Sequence, residues 1–180
     1  MKLIDIHSPQ DIKPLTIDDL KDLAKQMRAA IINYTSTIGG HVGPNLGDVE
    51  ALIGVHYVFD APKDKIVIDV SHQDFVHKML TGRAQYYLDK GKFTEIGEFT
   101  DPNESPEYDI FYAGHTSPSI SLAFGLAKAR RLKKEDFNIV AFIGDGSLSG
   151  GVAFEGLNNA GKLNDNFIVI VNDNQMAIAE

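Results

Sequence analysis

Two short apolar runs, Asn138–Ile143 and Phe167–Val171, flank a segment with room for a single helix, and this limits the fold more than any other feature. Past Asn138, each run is apolar rather than alternating, the pattern of a strand buried on both faces of a parallel sheet. Gly144-Asp145-Gly146 ends the first run. Ser147–Gly151 then leads into Val152, Ala153, Phe154 and Leu157, a helical spacing that stops at Gly161. Parallel strands joined by a crossover helix bring both carboxyl ends to the same edge of one sheet. A third apolar run, Ile66–Val70, followed by Ser71-His72-Gln73, repeats the pattern. The predicted fold class is α/β, a mostly parallel sheet flanked by helices.

Ligands of open α/β sheets bind outside the carboxyl ends of the strands. There the sequence sets Asp145 beside Asn172-Asp173-Asn174-Gln175-Met176. A helix start behind glycines attracts phosphate oxygens, but a carboxylate within the turn repels them. A hard cation between the two removes the conflict, because Mg²⁺ takes carboxylate, phosphate and other oxygens in an octahedron. Asp145, the side-chain oxygen of Asn174 and a backbone carbonyl near Met176 are the predicted metal ligands, and a metal-bound diphosphate is the predicted cargo. The turn lacks the third glycine of a dinucleotide fingerprint and the Gly-Lys-Ser/Thr of a P-loop. An isolated Gly-Asp-Gly is better read as a tight turn with an Asp cap. The second strand ending in Asn-x-Asn reverses that preference.

Elsewhere the chain reads as helices and loops. Thr16 and Asp19 form a capping box, followed by an apolar stripe from Leu20 to Tyr34 that Gly39-Gly40 terminates. In Gly39–Gly47 so much glycine around one histidine marks His41 as a site residue, and Asn45 is expected to cap the next helix. His72 stands at a strand's carboxyl end, where position favours function. His7, His56 and His77 read as structural or surface residues, and Arg83 as a solvated one. Residues 84–112 carry little periodicity, and acidic, turn-rich Asp101–Asp109 reads as a flap or plain loop without the spacing of a calcium loop. Ser117 is expected to cap a helix with Pro118 in its first turn.

The net charge of −8, with no basic stripe, argues against nucleic acid or an anionic membrane as partner. The absence of cysteine excludes disulfides and thiolate sites and fits a cytoplasmic protein. No run nears the roughly 18 apolar residues of a membrane span.

Five stretches, GDGSLSGGVAFEGLNNAG with VNDNQMAIAE, and upstream GGHVGPNLG, DVSHQDFVHKMLTGR and GHTSPSIS, resemble the 1-deoxy-D-xylulose-5-phosphate synthase family. That family belongs to the transketolase-like enzymes that use thiamine diphosphate and Mg²⁺. The resemblance implies that His41 and His72 move protons and that His72, Gly114, His115, Thr116, Gly146, Ser147 and Asn174 hold the cofactor. It also implies decarboxylative condensation of pyruvate with glyceraldehyde 3-phosphate, toward isoprenoid, thiamine and pyridoxal precursors, in a homodimer. Ser71 stands where the family has glycine, Asp74 where it has alanine, and the loop at 101–109 is acidic where the family's is basic. Residues 1–180 are expected to be the N-terminal part of the diphosphate-binding domain. The pyrimidine-binding and C-terminal domains are then supplied by the remainder of the polypeptide as a separate chain. Two alternatives are a transketolase-type ketol transferase part and a non-catalytic domain that binds metal-diphosphate or a partner.

Overall fold

The structure, a computed structural model, describes residues 1–162 and 166–173. These gather into two compact units, one of Met1–Ala61 with His72–Glu98, the other of Pro62–Ser71 with the described residues from Phe99 onward.

The first unit is helical. Helix α1, Ile17–Ile38, begins at the predicted capping box, in which the Thr16 hydroxyl accepts from Asp19 N–H at 3.2 Å and the Asp19 carboxylate accepts from Thr16 N–H at 3.0 Å. Two orphan amides of the first turn are satisfied in this way. Leu23, Met27 and Ile31 recur at helical spacing on its buried face. Helices α2, Val42–Gly47, and α3, Val49–Val58, follow. Two one-turn helices, α4, Phe75–Lys78, and α5, Gln85–Leu88, close the unit. Its centre is aromatic: Tyr34 meets Phe75, Tyr87 and Phe93 with ring centroids 5.4, 5.0 and 5.1 Å away, the tilted and edge-on packing that ring quadrupoles favour.

Polar groups are buried here too. His56 and His77 share a hydrogen bond of 3.0 Å and are shut off from solvent. Both are structural, as one of the two predicted readings had it. Arg83 departs from expectation. It is buried, and its guanidinium donates to the Thr81 hydroxyl at 2.8 Å.

The second unit holds the sheet. Strand β1, Lys65–Ile68, is followed by helix α6, Ser119–Lys133, and strand β2, Ile139–Gly144. A one-turn helix α7, Asp145–Leu148, leads to α8, Gly151–Ala160, and strand β3, Ile168–Asn172. The order is β1-β2-β3 and every pairing is parallel, with Ile68 opposite Phe142 and Gly144 opposite Asn172. Val67, Ile139, Ala141 and Ile143 pack with Ile120, Ala123 and Ala127 of α6 and Ala153 of α8. Helix α8 lies close on α6 because position 156 is glycine. A Cβ there would come within 2.9 Å of the Ser121 hydroxyl and 3.0 Å of an Ile120 methyl.

Strand β1 is shorter than predicted. The sequence run reaches Val70, but the chain leaves the sheet at Asp69, and Val70 and Ser71 both take positive φ, 57° and 70°. Ser71 N–H closes the bend onto Asp69 C=O at 2.5 Å. Positive φ is a genuine outlier for a β-branched residue, and such strain collects at functional sites.

Candidate functional site

The parallel register tests the strand part of the predicted arrangement. Gly144 and Asn172 are partners on neighbouring strands, so the turn opening at Asp145 and the segment leaving β3 emerge side by side on one edge. Asn174 and Met176, two of the three predicted metal ligands, lie outside the described residues. Among the described residues no group of three or more His, Cys, Asp or Glu is arranged to hold a metal. Within the predicted metal set, Asp145 alone is such a side chain. It is exposed, as is Gly146, and nothing lies within 4 Å of where a Gly146 Cβ would be. Backbone and carboxylate are therefore open to a ligand at the tip of β2.

Asp69 organises the rest of this edge, and sequence reasoning missed it. Buried at the end of β1, it accepts from Ser117 N–H at 2.8 Å through one oxygen and from Ser119 N–H at 3.0 Å through the other. Helix α6 thus starts at Ser119 with Pro118 in the cap position, and its free amides are met by a carboxylate from another element. This corrects the expected cap at Ser117, which has φ of 78° and sends its hydroxyl to Ser147 C=O at 2.7 Å. That bond ties the Gly114-His115-Thr116 loop to the turn after β2. Gly150 permits the closeness, since a Cβ there would be 2.0 Å from the Ser117 hydroxyl. Gly114, His115 and Thr116 are exposed, and Ser147 is buried. Asp69 could have been noticed as a carboxylate inside an otherwise apolar run, since a buried one must find donors.

The predicted proton-moving histidines come together in the helical unit. The rings of His41 and His72 stand edge to face with centroids 5.1 Å apart. Asn45 joins their backbones, donating to His41 C=O at 2.6 Å and His72 C=O at 2.7 Å, while its own oxygen accepts from Phe75 N–H at 3.1 Å. Asn45 therefore sits inside α2 as a buried bracket, which corrects its predicted role as a cap. His41 Nδ1 is 2.6 Å from Glu98 Oε1, a partner that lies in the stretch with least sequence pattern. Asp74 is buried and faces the buried Lys78 ammonium at 3.8 Å. The acidic stretch is a turn-rich loop, as one of the two expected readings had it: Asn103, Glu104, Pro106 and Glu107 are exposed, while Asp109 is buried and accepts from Asp101 N–H at 3.0 Å.

A parallel sheet with glycine turns and strained backbone at its carboxyl edge defines an α/β ligand-binding fold, and solved transketolases share it. A transketolase from Campylobacter jejuni superposes with a TM-score of 0.70 over 91% of this chain and 29% of its own, at 22% identity. A mutant transketolase from Pichia stipitis gives 0.73 over 91% and 28%, at 20% identity. The model of the family described as 1-deoxy-D-xylulose-5-phosphate synthase matches residues 3–180, and the chain belongs to that family. Two synthases of that name are similar to it, from Dehalococcoides mccartyi at 50% identity over 179 residues and from Desulforudis audaxviator at 52% over 180. Each match takes in 99% of this chain, which spans about 28% of the length of these relatives. Among the described residues no helix is long and apolar enough to cross a membrane.

Proposed function

We propose that this chain holds the diphosphate of thiamine diphosphate, through Mg²⁺, for a synthase that condenses pyruvate with glyceraldehyde 3-phosphate and releases carbon dioxide. One observation carries the reading: the exposed Asp145 turn and the end of β3 leave neighbouring parallel strands together, with open space over Gly146. Family membership supplies the reaction class. Asp145 and Asn174 with the carbonyl of Met176 would hold the ion, and the amides of Gly146 and Ser147, with Gly114, His115, Thr116 and His72, would receive the cofactor. When bound, thiamine diphosphate supplies the carbanion chemistry. The chain's own contribution is to fix the diphosphate and to move protons at carbonyl oxygens with His41 and His72, groups whose type titrates near neutrality. The chain spans about 28% of the length of its relatives, and the complete assembly is a homodimer in this reading.

Calorimetry of the chain with Mg²⁺ and thiamine diphosphate tests the binding half. Affinity should require the metal and fall by about 10-fold or more in Asp145→Ala, as for loss of a metal ligand's support. Binding that ignores both would sink it. An assay with the remainder of a family polypeptide supplied tests the reaction half. Carbon dioxide release from pyruvate supports the synthase, ketose transfer without it points to a transketolase-type enzyme, and binding without either leaves a non-catalytic domain.

A further inference from the structure

His41 is one of two histidines to which the proposed function gives proton transfer, and its ring is held by a group that function leaves unassigned. Glu98 Oε1 lies 2.6 Å from His41 Nδ1, and the two side chains are half-exposed, at 39% and 50%. A carboxylate has no proton to give, so the hydrogen of this bond belongs to the imidazole. The neutral ring then carries its proton on Nδ1 and keeps the Nε2 lone pair free, and the charged ring presents Nε2–H as the acid. Which nitrogen works is set by the bond the other one makes.

The contact is built rather than incidental. Lys78, fully buried and paired with Asp74 at 3.8 Å, donates to Gly97 C=O at 2.8 Å and so pins the residue before Glu98. Asn45 pins the His41 backbone from the other side, and Glu98 Oε1 also lies 3.6 Å from where a Gly40 Cβ would be, so it rests against the turn leading into His41. Both ends of the Glu98–His41 bond are thereby anchored within one compact unit.

We infer that Glu98 is a positioning residue that fixes His41 as its Nδ1–H tautomer and so makes Nε2 the nitrogen that takes and gives protons. That Nε2 serves in proton transfer rests on the proposed function, whereas the Glu98–His41 geometry and its test stand apart from cofactor binding. Nitrogen NMR of the histidine-labelled chain, at a pH where the imidazole is neutral, reads the tautomer directly. Wild-type His41 should show a protonated Nδ1 and an unprotonated Nε2. In Glu98→Ala the ratio of Nδ1–H to Nε2–H forms should fall about 10-fold, the factor that one hydrogen bond to a charged acceptor supports. Glu98→Gln, whose neutral amide can accept from Nδ1–H or turn its NH2 to an unprotonated Nδ1, should restore only part of that ratio. The proposal is overturned by a wild-type His41 protonated on Nε2, or by an unchanged ratio in Glu98→Ala. The first of these needs no variant to fold. Failure of thiamine diphosphate to bind would remove the proposed function and leave the tautomer result untouched.

Discussion

Asp69 in the sheet unit and Asp48 in the helical unit are both shut off from solvent, at 1% and 0% exposure, but their surroundings differ. Asp69 has each oxygen on a backbone amide of the helix it caps, at 2.8 and 3.0 Å. Neither oxygen of Asp48 has a hydrogen-bond partner beyond its own residue, and burial, then the nearby charge of Asp74, push its carboxyl well above the usual carboxylate range. A buried carboxylate with donors organises structure, whereas one without them is a cost that protonation relieves. The sheet unit uses its acid to join elements, and the helical unit tolerates one.

That contrast predicts opposite signs. Asp69→Ala removes two hydrogen bonds and strands two buried amides, each a loss of about 1–3 kcal/mol. It should therefore cost about 4 kcal/mol in denaturant unfolding, and free the start of α6 to exchange its amide hydrogens. A cost below about 1 kcal/mol would mean that Asp69 does not anchor the helix. Asp48→Asn should instead stabilise the chain at pH 8 by about 1–2 kcal/mol. The sign follows from proton counting. The unfolded Asp48 loses its proton near 3.8 while the folded one retains it to higher pH. The native state then binds more protons, and stability falls as pH rises through that window. The gain should fade as pH drops through 3.8 and vanish by about pH 3, where both states are protonated. A destabilised Asp48→Asn at pH 8 would place Asp48 with Asp69.

The histidine pair of the helical unit gives a slope of the other direction. Burial, with His77 beside it, holds the His56 imidazole well below its ordinary value. Below about 6.5 the unfolded chain takes up a proton there that the folded chain refuses, so stability is lost as pH falls. One such group contributes up to about 1.4 kcal/mol per pH unit. His56→Gln should lower stability overall, since it breaks the bond to His77, but flatten the melting-temperature profile between pH 7 and 5. An equally steep profile would assign the acid sensitivity elsewhere. Because Asp48 and His56 oppose each other in this window, the single variants are needed to separate them.

How much of this was readable beforehand depends on the range of each interaction. The parallel strands, the crossover helix and the Thr16–Asp19 box depend on neighbours a few residues apart, and periodicity or capping chemistry reveals them. The glycine-rich setting of His41 and the strand-end position of His72 are equally local, and they single out two histidines whose rings lie 5.1 Å apart. Within each unit the bonds that hold candidate residues reach much further: in the sheet unit Asp69 contacts amides 48 and 50 residues away, and in the helical unit Glu98 reaches His41 over 57. No local pattern encodes such a pairing. Ser117 and Asn45 show the cost, because each has the chemistry of a cap and each spends it on a different element.

Ser71 offers the smallest test and joins the two sides of the comparison. It stands where the resembled family has glycine, and its φ of 70° is strained for any residue with a Cβ, by about 1 kcal/mol. Yet its hydroxyl behaves like Asp69, bonding Thr100 at 2.7 Å, while the Thr100 hydroxyl donates to Phe111 C=O at 2.9 Å. Ser71→Gly relieves the strain but loses that bond and loosens the unfolded chain, terms of about 1 kcal/mol or less each. Its net effect should lie within about 1 kcal/mol of zero. Ser71→Ala loses the bond and keeps the strain, so it should be the less stable variant by up to about 1 kcal/mol. If alanine proved as stable as glycine there, the left-handed bend after β1 would carry no strain, and serine would sit at no disadvantage where the family has glycine.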